Sequence, residues 1–243
     1  MKNKLMYIRY KEVLMYVMVT LTYFCMTICI CYIRNGFILI DLTLDQLRKQ
    51  FFSPIIFYPF VSIILLILNC KNDYYNMNLC ALYRFTSKYI VLKHKIIAIF
   101  ANVFIVIFMF FIEFVVYTTI FIKPQNRETS FHIITLLLLS YSLYLLIANL
   151  IAITISHICQ SIYIGVVFAV VWLCLDLLVA LGMLSACGVN FTSLSSMCIY
   201  NTYSLNLITM EDFLSTNSIL FAIIILLFLL NYILYKRMRD EIL

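Results

Sequence analysis

The sequence predicts an all-α membrane protein, and three observations carry that prediction. Of 243 residues, 65% are hydrophobic and 12% charged, with a mean hydropathy of +1.05. A soluble domain carries about twice that charge. Six apolar runs each approach or exceed the roughly 20 helical residues needed to cross a hydrocarbon core of about 30 Å. The runs are continuous rather than alternating. In lipid, a helix pairs its backbone groups within its own segment, whereas a barrel strand reads as about ten residues of alternating polarity.

The first run, Val13–Ile33, follows the basic stretch Met1–Glu12 with Lys2, Lys4, Arg9 and Lys11. That stretch is either a topology signal or a short amphipathic segment carrying Leu5 and Ile8. At 21 residues, with no A-x-A-like site after it, the run is too long for the apolar region of a cleaved leader and is expected to stay as an anchor. The second, Phe51–Cys70, has Pro54 and Pro59 near its start, where a first helical turn tolerates proline. The third and fourth are Ile96–Ile122 and Ile133–Ile155. A tight turn, Ser156–Ser161, leads into the fifth, Ile162–Leu184, and the sixth is Ser218–Tyr235. No internal repeat or soluble domain interrupts them, so residues 1–243 read as a single transmembrane domain.

Lys and Arg set the orientation. With the amino terminus inside, twelve of the seventeen fall on the cytoplasmic side: Lys2, Lys4, Arg9, Lys11, Lys71, Arg84, Lys88, Lys93, Lys95, Lys236, Arg237 and Arg239. Both termini are then cytoplasmic. This asymmetry accounts for the net charge of +6 without nucleic acid as a partner. The excess of Ile, Asn and Lys over Ala matches an AT-rich genome and a multi-pass protein of a bacterial plasma membrane.

Several chemistries are excluded. The four glycines, Gly36, Gly165, Gly182 and Gly188, begin neither G-x-x-x-x-G-K-[ST] nor G-x-G-x-x-G, so the chain carries neither phosphate cradle. No H-E-x-x-H or C-x-x-C is present, which leaves no metal site, and no nucleophile–base pair points to catalysis. Most of the nine cysteines lie in or beside apolar runs, where a thiol behaves as a small hydrophobe. Cys187 and Cys198 share a polar stretch and leave one disulfide open. Asn190-Phe191-Thr192 matches a glycosylation sequon.

Two features stand out against this background. Between Asn78 and Lys95 the apolar residues Leu79, Leu82, Phe85, Tyr89 and Leu92 recur at helical spacing, with Arg84, Lys88 and Lys95 largely on another face. Such a helix lies in the headgroup layer or seats its ridge in a cytoplasmic partner. Glu113 and Asp176 lie inside apolar runs, where carboxylates are costly and usually face a bundle interior or aqueous cavity. At about 1.5 Å per residue they sit roughly 25 and 21 Å from the inner ends of their spans. They are either satisfied structurally, by Asn102, Asn149 or Ser and Tyr hydroxyls, or they line a path for a cationic substrate. The outer stretch Ser185–Asn217 mixes polar and apolar residues, as in surface or re-entrant helices.

The order of these parts resembles the type 2 ABC transporter permeases, notably the small permease subunits associated with export of, or immunity to, bacteriocin-like peptides. The local match is ALYRFTSKYIVLKHKI, Ala81–Ile96. In that family the same place carries a small or polar run, a basic residue, a Ser-Arg/Lys pair and an apolar stretch ending in Lys before the third span. Arg84, Ser87, Lys88 and Lys95 occupy those positions here. The family's acidic residue ahead of the basic pair is missing, Asp73 being the nearest upstream acid. The resemblance implies an amphipathic coupling helix between the second and third spans. A separate ATP-binding subunit, holding ATP and magnesium, would dock on Leu79, Leu82, Arg84, Phe85, Ser87, Lys88 and Tyr89, with His157 as a smaller contact. It also implies a second permease chain, identical or not, and no cofactor in this chain. A membrane-embedded immunity or accessory protein that binds a partner without transport is the alternative.

Overall fold

The protein was analysed as a computed structural model that describes residues 2–34, 61–69, 88–121, 127–159, 161–180 and 210–240. Among these residues the regular structure is entirely α-helical. We number the helices α1 (Lys2–Arg34), α2 (61–69), α3 (Lys88–Phe121), α4 (Arg127–Ile158), α5 (Ile162–Ala180) and α6 (Met210–Asp240). Each falls on one of the six apolar runs. Three contain a stretch long and apolar enough to cross a membrane: Lys95–Ile120 in α3, Leu138–Ile158 in α4 and Asn217–Leu234 in α6. These associate the chain with a membrane. The apolar stretches of α1 and α5, Val13–Met26 and Ile162–Asp176, are shorter. Of the second expected span, only 61–69 lies within the described residues, as do only the first nineteen residues of the fifth.

Several boundaries differ from the sequence reading, among them both ends of α4, which starts at Arg127 rather than Ile133 and runs to Ile158, into the expected turn Ser156–Ser161. Apolar content locates the lipid-facing part of a helix, but backbone hydrogen bonding continues wherever no proline or glycine stops it. Met1–Glu12 was expected as a separate segment, and residues from Lys2 onward are continuous with the first span in α1. The stretch Lys88–Lys95, expected as the end of a distinct amphipathic helix, is instead the beginning of α3. Residues Met210–Asn217, expected in the outer loop, form the start of α6.

The chain divides into two compact units. The first comprises Met1–Ser53 with Phe104–Leu139, and the second Pro54–Val103 with Ser140–Leu243. In the first, α1 and α3 meet through aromatic edges: Tyr23 and Phe110 at 5.5 Å between ring centroids, Phe24 and Tyr117 at 6.4 Å, both near perpendicular. This edge-to-face geometry places a positive ring edge on a negative face.

In the second unit α4 is the shared neighbour. In its spanning window 67% of residues are buried, against 33% for α3 and 17% for α6. Leu145, Ile147 and Ala148 are fully enclosed. Hydrogen-bonded pairs fix the helix directions. Ser140 pairs with Asn217 and Thr154 with Asn231, both 77 residues apart, so α4 and α6 run parallel. Ser62 pairs with Tyr141 and Asn69 with Asn149, at separations of 79 and 80, so α2 also runs parallel to α4. The α4–α5 pair is an antiparallel hairpin. Its tight end places Gly165 on Ala152 and Ser156, and further from the turn Tyr144 meets Asp176. In α3, Lys95 lies by His157 and Asn102 joins the Asn69–Asn149 pair, so α3 is antiparallel to α4 as well. Successive helices from α2 to α6 thus point in opposite directions.

The hairpin closes only because Gly165 has no side chain. A Cβ there would lie 1.9 Å from Ser156 Oγ and 2.4 Å from the Ala152 carbonyl oxygen. The serine can rotate away, but the carbonyl belongs to α4's backbone and cannot. Gly165→Ala is therefore expected to lower stability by about 1–3 kcal/mol through overpacking. Adding Ser156→Ala should restore only part of the loss, read as the unfolding midpoint of the detergent-solubilised protein. A Gly165→Ala protein as stable as wild type would contradict this close approach.

Candidate functional site

The polar side chains that an apolar environment should exclude are concentrated in the second unit, where nearly all of them bond to α4. At one end, the Ser140 hydroxyl donates to Asn217 Oδ1 at 2.9 Å. Next along the helix, the hydroxyls of Tyr141 and Ser62 share a hydrogen bond of 3.2 Å. Tyr144 donates to Asp176 Oδ2 at 3.0 Å, and its ring lies 5.8 Å from that of Trp172. Three asparagines then form a chain across three helices. Asn102 Nδ2 donates to Asn69 Oδ1, Asn69 Nδ2 donates to Asn149 Oδ1 at 2.8 Å, and Asn149 Nδ2 closes on the Leu145 carbonyl at 2.8 Å. One turn on, Asn231 Nδ2 donates to Thr154 Oγ1 at 2.8 Å and to the Leu227 carbonyl at 2.9 Å.

This arrangement follows from the cost of burying a polar group without a partner. In hydrocarbon there is no water to supply one, so neighbouring helices do. Asn69, Asn102, Asn149, Asp176 and Asn231 are all buried, and each meets a partner from another helix.

At the far end of α4 the character changes from amide to basic. His157, in its last turn, and Lys95 of α3 are both buried and electrostatically coupled. The carboxyl end of a helix carries partial negative charge on its unpaired carbonyls, so this end of α4 suits an ammonium group. His157, expected as a smaller docking contact in the short turn after the fourth span, is only 7% exposed and lies in the last turn of α4.

In the first unit, Glu113 of α3 is half-buried and shares a hydrogen bond with the hydroxyl of Thr20 on α1. Its Oε2 is enclosed, with no hydrogen-bond partner among the described residues.

Of the residues expected along a substrate path, Asn102 and Asn149 are brought together through Asn69. Asp176 lies in the same unit on Tyr144, and Glu113 belongs to the other unit. Of the expected docking residues, Leu79, Leu82, Arg84, Phe85 and Ser87 lie outside the described residues, while Lys88 and Tyr89 open α3. The Cys187–Cys198 pair and the Asn190 sequon also lie outside them. Cys25, Cys29, Cys159 and Cys174 are free thiols exposed on the protein surface. Among the described residues, no group of three or more His, Cys, Asp or Glu side chains is placed to hold a metal ion.

Sequence reasoning missed Thr20, Ser62, Asn69, Tyr141, Tyr144, Thr154, Trp172 and Asn231. A usable signal was present: each of the second, fourth and sixth runs carries an asparagine at or near an end (Asn69, Asn149, Asn231), and an intramembrane amide calls for a partner on another span.

No protein family matches the chain, and no curated protein or solved structure matches it.

Asn149 both accepts from Asn69 and donates to α4's own backbone, so its removal leaves a buried amide unpaired. Asn149→Leu is expected to cost about 1–3 kcal/mol. Replacing Asn69, Asn102 and Asn149 together by Leu should cost less than the sum of the single changes, because no amide is then stranded. Denaturation in mixed micelles reads both, and strict additivity would contradict a connected chain.

Proposed function

We propose that the chain is the membrane-spanning subunit of a type 2 ABC transporter. In this reading it forms a six-span bundle with both termini in the cytoplasm of a bacterial cell. A separate subunit binds ATP with magnesium and hydrolyses it. A second permease chain completes the path, and the cargo is a peptide or amphipathic compound, moved in bacteriocin export or self-immunity.

The observation that carries the proposal is the Arg84–Ser87–Lys88–Lys95 pattern leading into the long apolar stretch Lys95–Ile120 of α3. Continuity of Lys88–Lys95 with α3 gives the pattern a mechanical meaning. A force applied by a motor at the start of α3 would pass along a continuous helix toward Asn102. Alternation of helix directions around α4 is what successive crossings of a bilayer require, and the charge asymmetry of the loops gives the sense of insertion.

A second reading has its own support. Asn102, Asn149 and Asp176 are committed to bonds that hold helices together, which suits a protein that binds a toxin peptide or partner without passing cargo. Transport then requires the α2–α4 and α4–α5 contacts to separate and re-form during the cycle.

Charge reversal at Arg84 and Lys88 should lower at least tenfold the recovery of an ATP-binding subunit that co-purifies with the unmodified chain. Wild-type recovery with the reversed charges would remove this docking face. Absence of any co-purifying nucleotide-binding subunit with the unmodified chain would favour the non-transporting reading.

A further inference from the structure

The side chain of Asn231 on α6 is fully enclosed, yet its oxygen bonds nothing. Nδ2 donates to Thr154 Oγ1 at 2.8 Å and to the Leu227 carbonyl at 2.9 Å, which uses both amide protons. Oδ1 is buried with no donor. Thr154 does not supply one, because its own hydroxyl proton is given to the Leu150 carbonyl at 2.7 Å. Turning the amide over would set its oxygen against the Leu227 carbonyl, two acceptors facing one another.

A buried polar atom left over in this way asks for an explanation, and the packing of α6 supplies one. Within the spanning stretch Asn217–Leu234, the enclosed side chains of α6 are Leu220, Ile224 and Asn231. At helical spacing they fall on one narrow stripe. Leu220 and Ile224 lie within two turns of Asn217, and the Ser140–Asn217 bond leaves neither partner with a buried polar atom unfilled. Beyond Ile224, Asn231 alone among the described side chains of the stretch is enclosed. The α4–α6 contact is therefore apolar and satisfied at one end. At the other it rests on a single amide with an unused acceptor.

That amide lies close to water. Asn231 is three residues from the end of the spanning stretch, about 4–5 Å along the helix. A water molecule arriving from the interface would donate to Oδ1 and keep its other bonds to neighbouring waters. A lipid tail has no donor to give.

We infer that α6 is hinged on α4 at Ser140–Asn217 and swings away at Thr154–Asn231, opening a wedge that water enters to reach the Asn231 carbonyl. Opening gives up the Thr154 bond and gains the bond to Oδ1, so the two forms are closely balanced in hydrogen bonding. Leu220 and Ile224 stay packed and confine the motion to the far end. The motion needs neither a motor nor a cargo, so the inference is independent of the transporter reading.

Pulsed electron paramagnetic resonance tests it on the full-length protein in lipid vesicles, with the native cysteines replaced. One nitroxide pair, on Ile158→Cys and Ile233→Cys, reports the wedge from exposed positions. A second, on Leu143→Cys and Phe221→Cys, reports the hinge from positions that are not buried. The wedge pair should give two distances and the hinge pair one. Adding Asn231→Leu should leave only the shorter wedge distance, because leucine continues the apolar stripe and has no acceptor for water to fill. One distance at both ends, two at both ends, or a wedge pair indifferent to Asn231→Leu would overturn the inference. Since Thr154 keeps its bond to Leu150, Asn231→Leu strands no polar atom and should unfold at a midpoint no lower than that of the wild type. Failure of Asn231→Leu to fold would equally overturn it.

Discussion

The second unit is organised by the need of the buried polar side chains on α4 for partners within the protein. A polar side chain enclosed among apolar ones must find its partner within the protein, and α4 presents Ser140, Tyr141, Tyr144, Asn149 and Thr154 along about half of its length. Each bonds a side chain from α2, α5 or α6, and α3 joins through Asn69. Apolar packing alone distinguishes poorly between helices in lipid, because a leucine meets a lipid tail about as well as another leucine. The hydrogen bonds therefore supply the register. They specify which helix lies beside α4, in which direction and at which height, and Gly165 sets how closely α5 approaches.

The apolar runs were legible because their signal is local: a window of about 20 residues reports its own hydropathy without reference to the rest of the chain. All six helices fall on predicted runs. The extra helical turns at Lys2, Lys88 and Met210 were not legible, since backbone hydrogen bonding extends past the apolar stretch without altering composition. The polar network was hidden for a different reason. At about 100° per residue, Ser140, Tyr141, Tyr144, Asn149 and Thr154 together cover an arc of about 220° on α4, wider than any single face. A helix enclosed by neighbours on several sides has no polar face, and amphipathic pattern reading looks for a face. Glu113 and Asp176 were singled out because carboxylates in apolar runs are conspicuous, yet their partners Thr20 and Tyr144 look like ordinary span residues until the helices are brought together.

The same network bears on function. Residues that serve as fasteners cannot simultaneously coordinate a cargo. If a compound passes through this bundle, it passes where contacts are renewed during each cycle, and the α4–α6 seam is a natural candidate because α6 is the least enclosed of the three spanning helices. The helical segment of α3 from Lys88 leads directly to the asparagine chain at Asn102. Motion at its amino-terminal end would be felt first by the bonds that join α2, α3 and α4.

The most direct test of the account is disulfide mapping between α4 and α6 in a background from which the native cysteines have been removed. Parallel helices pair Ser140→Cys with Asn217→Cys and Thr154→Cys with Asn231→Cys. The two levels lie 14 residues apart on each helix, about 21 Å, far beyond the span of a disulfide. The account predicts that both matched pairs cross-link while the crossed pairs, Ser140→Cys with Asn231→Cys and Thr154→Cys with Asn217→Cys, do not. Cross-linking of the crossed pairs would mean that the two helices run in opposite directions, and the hub built on α4 would be wrong.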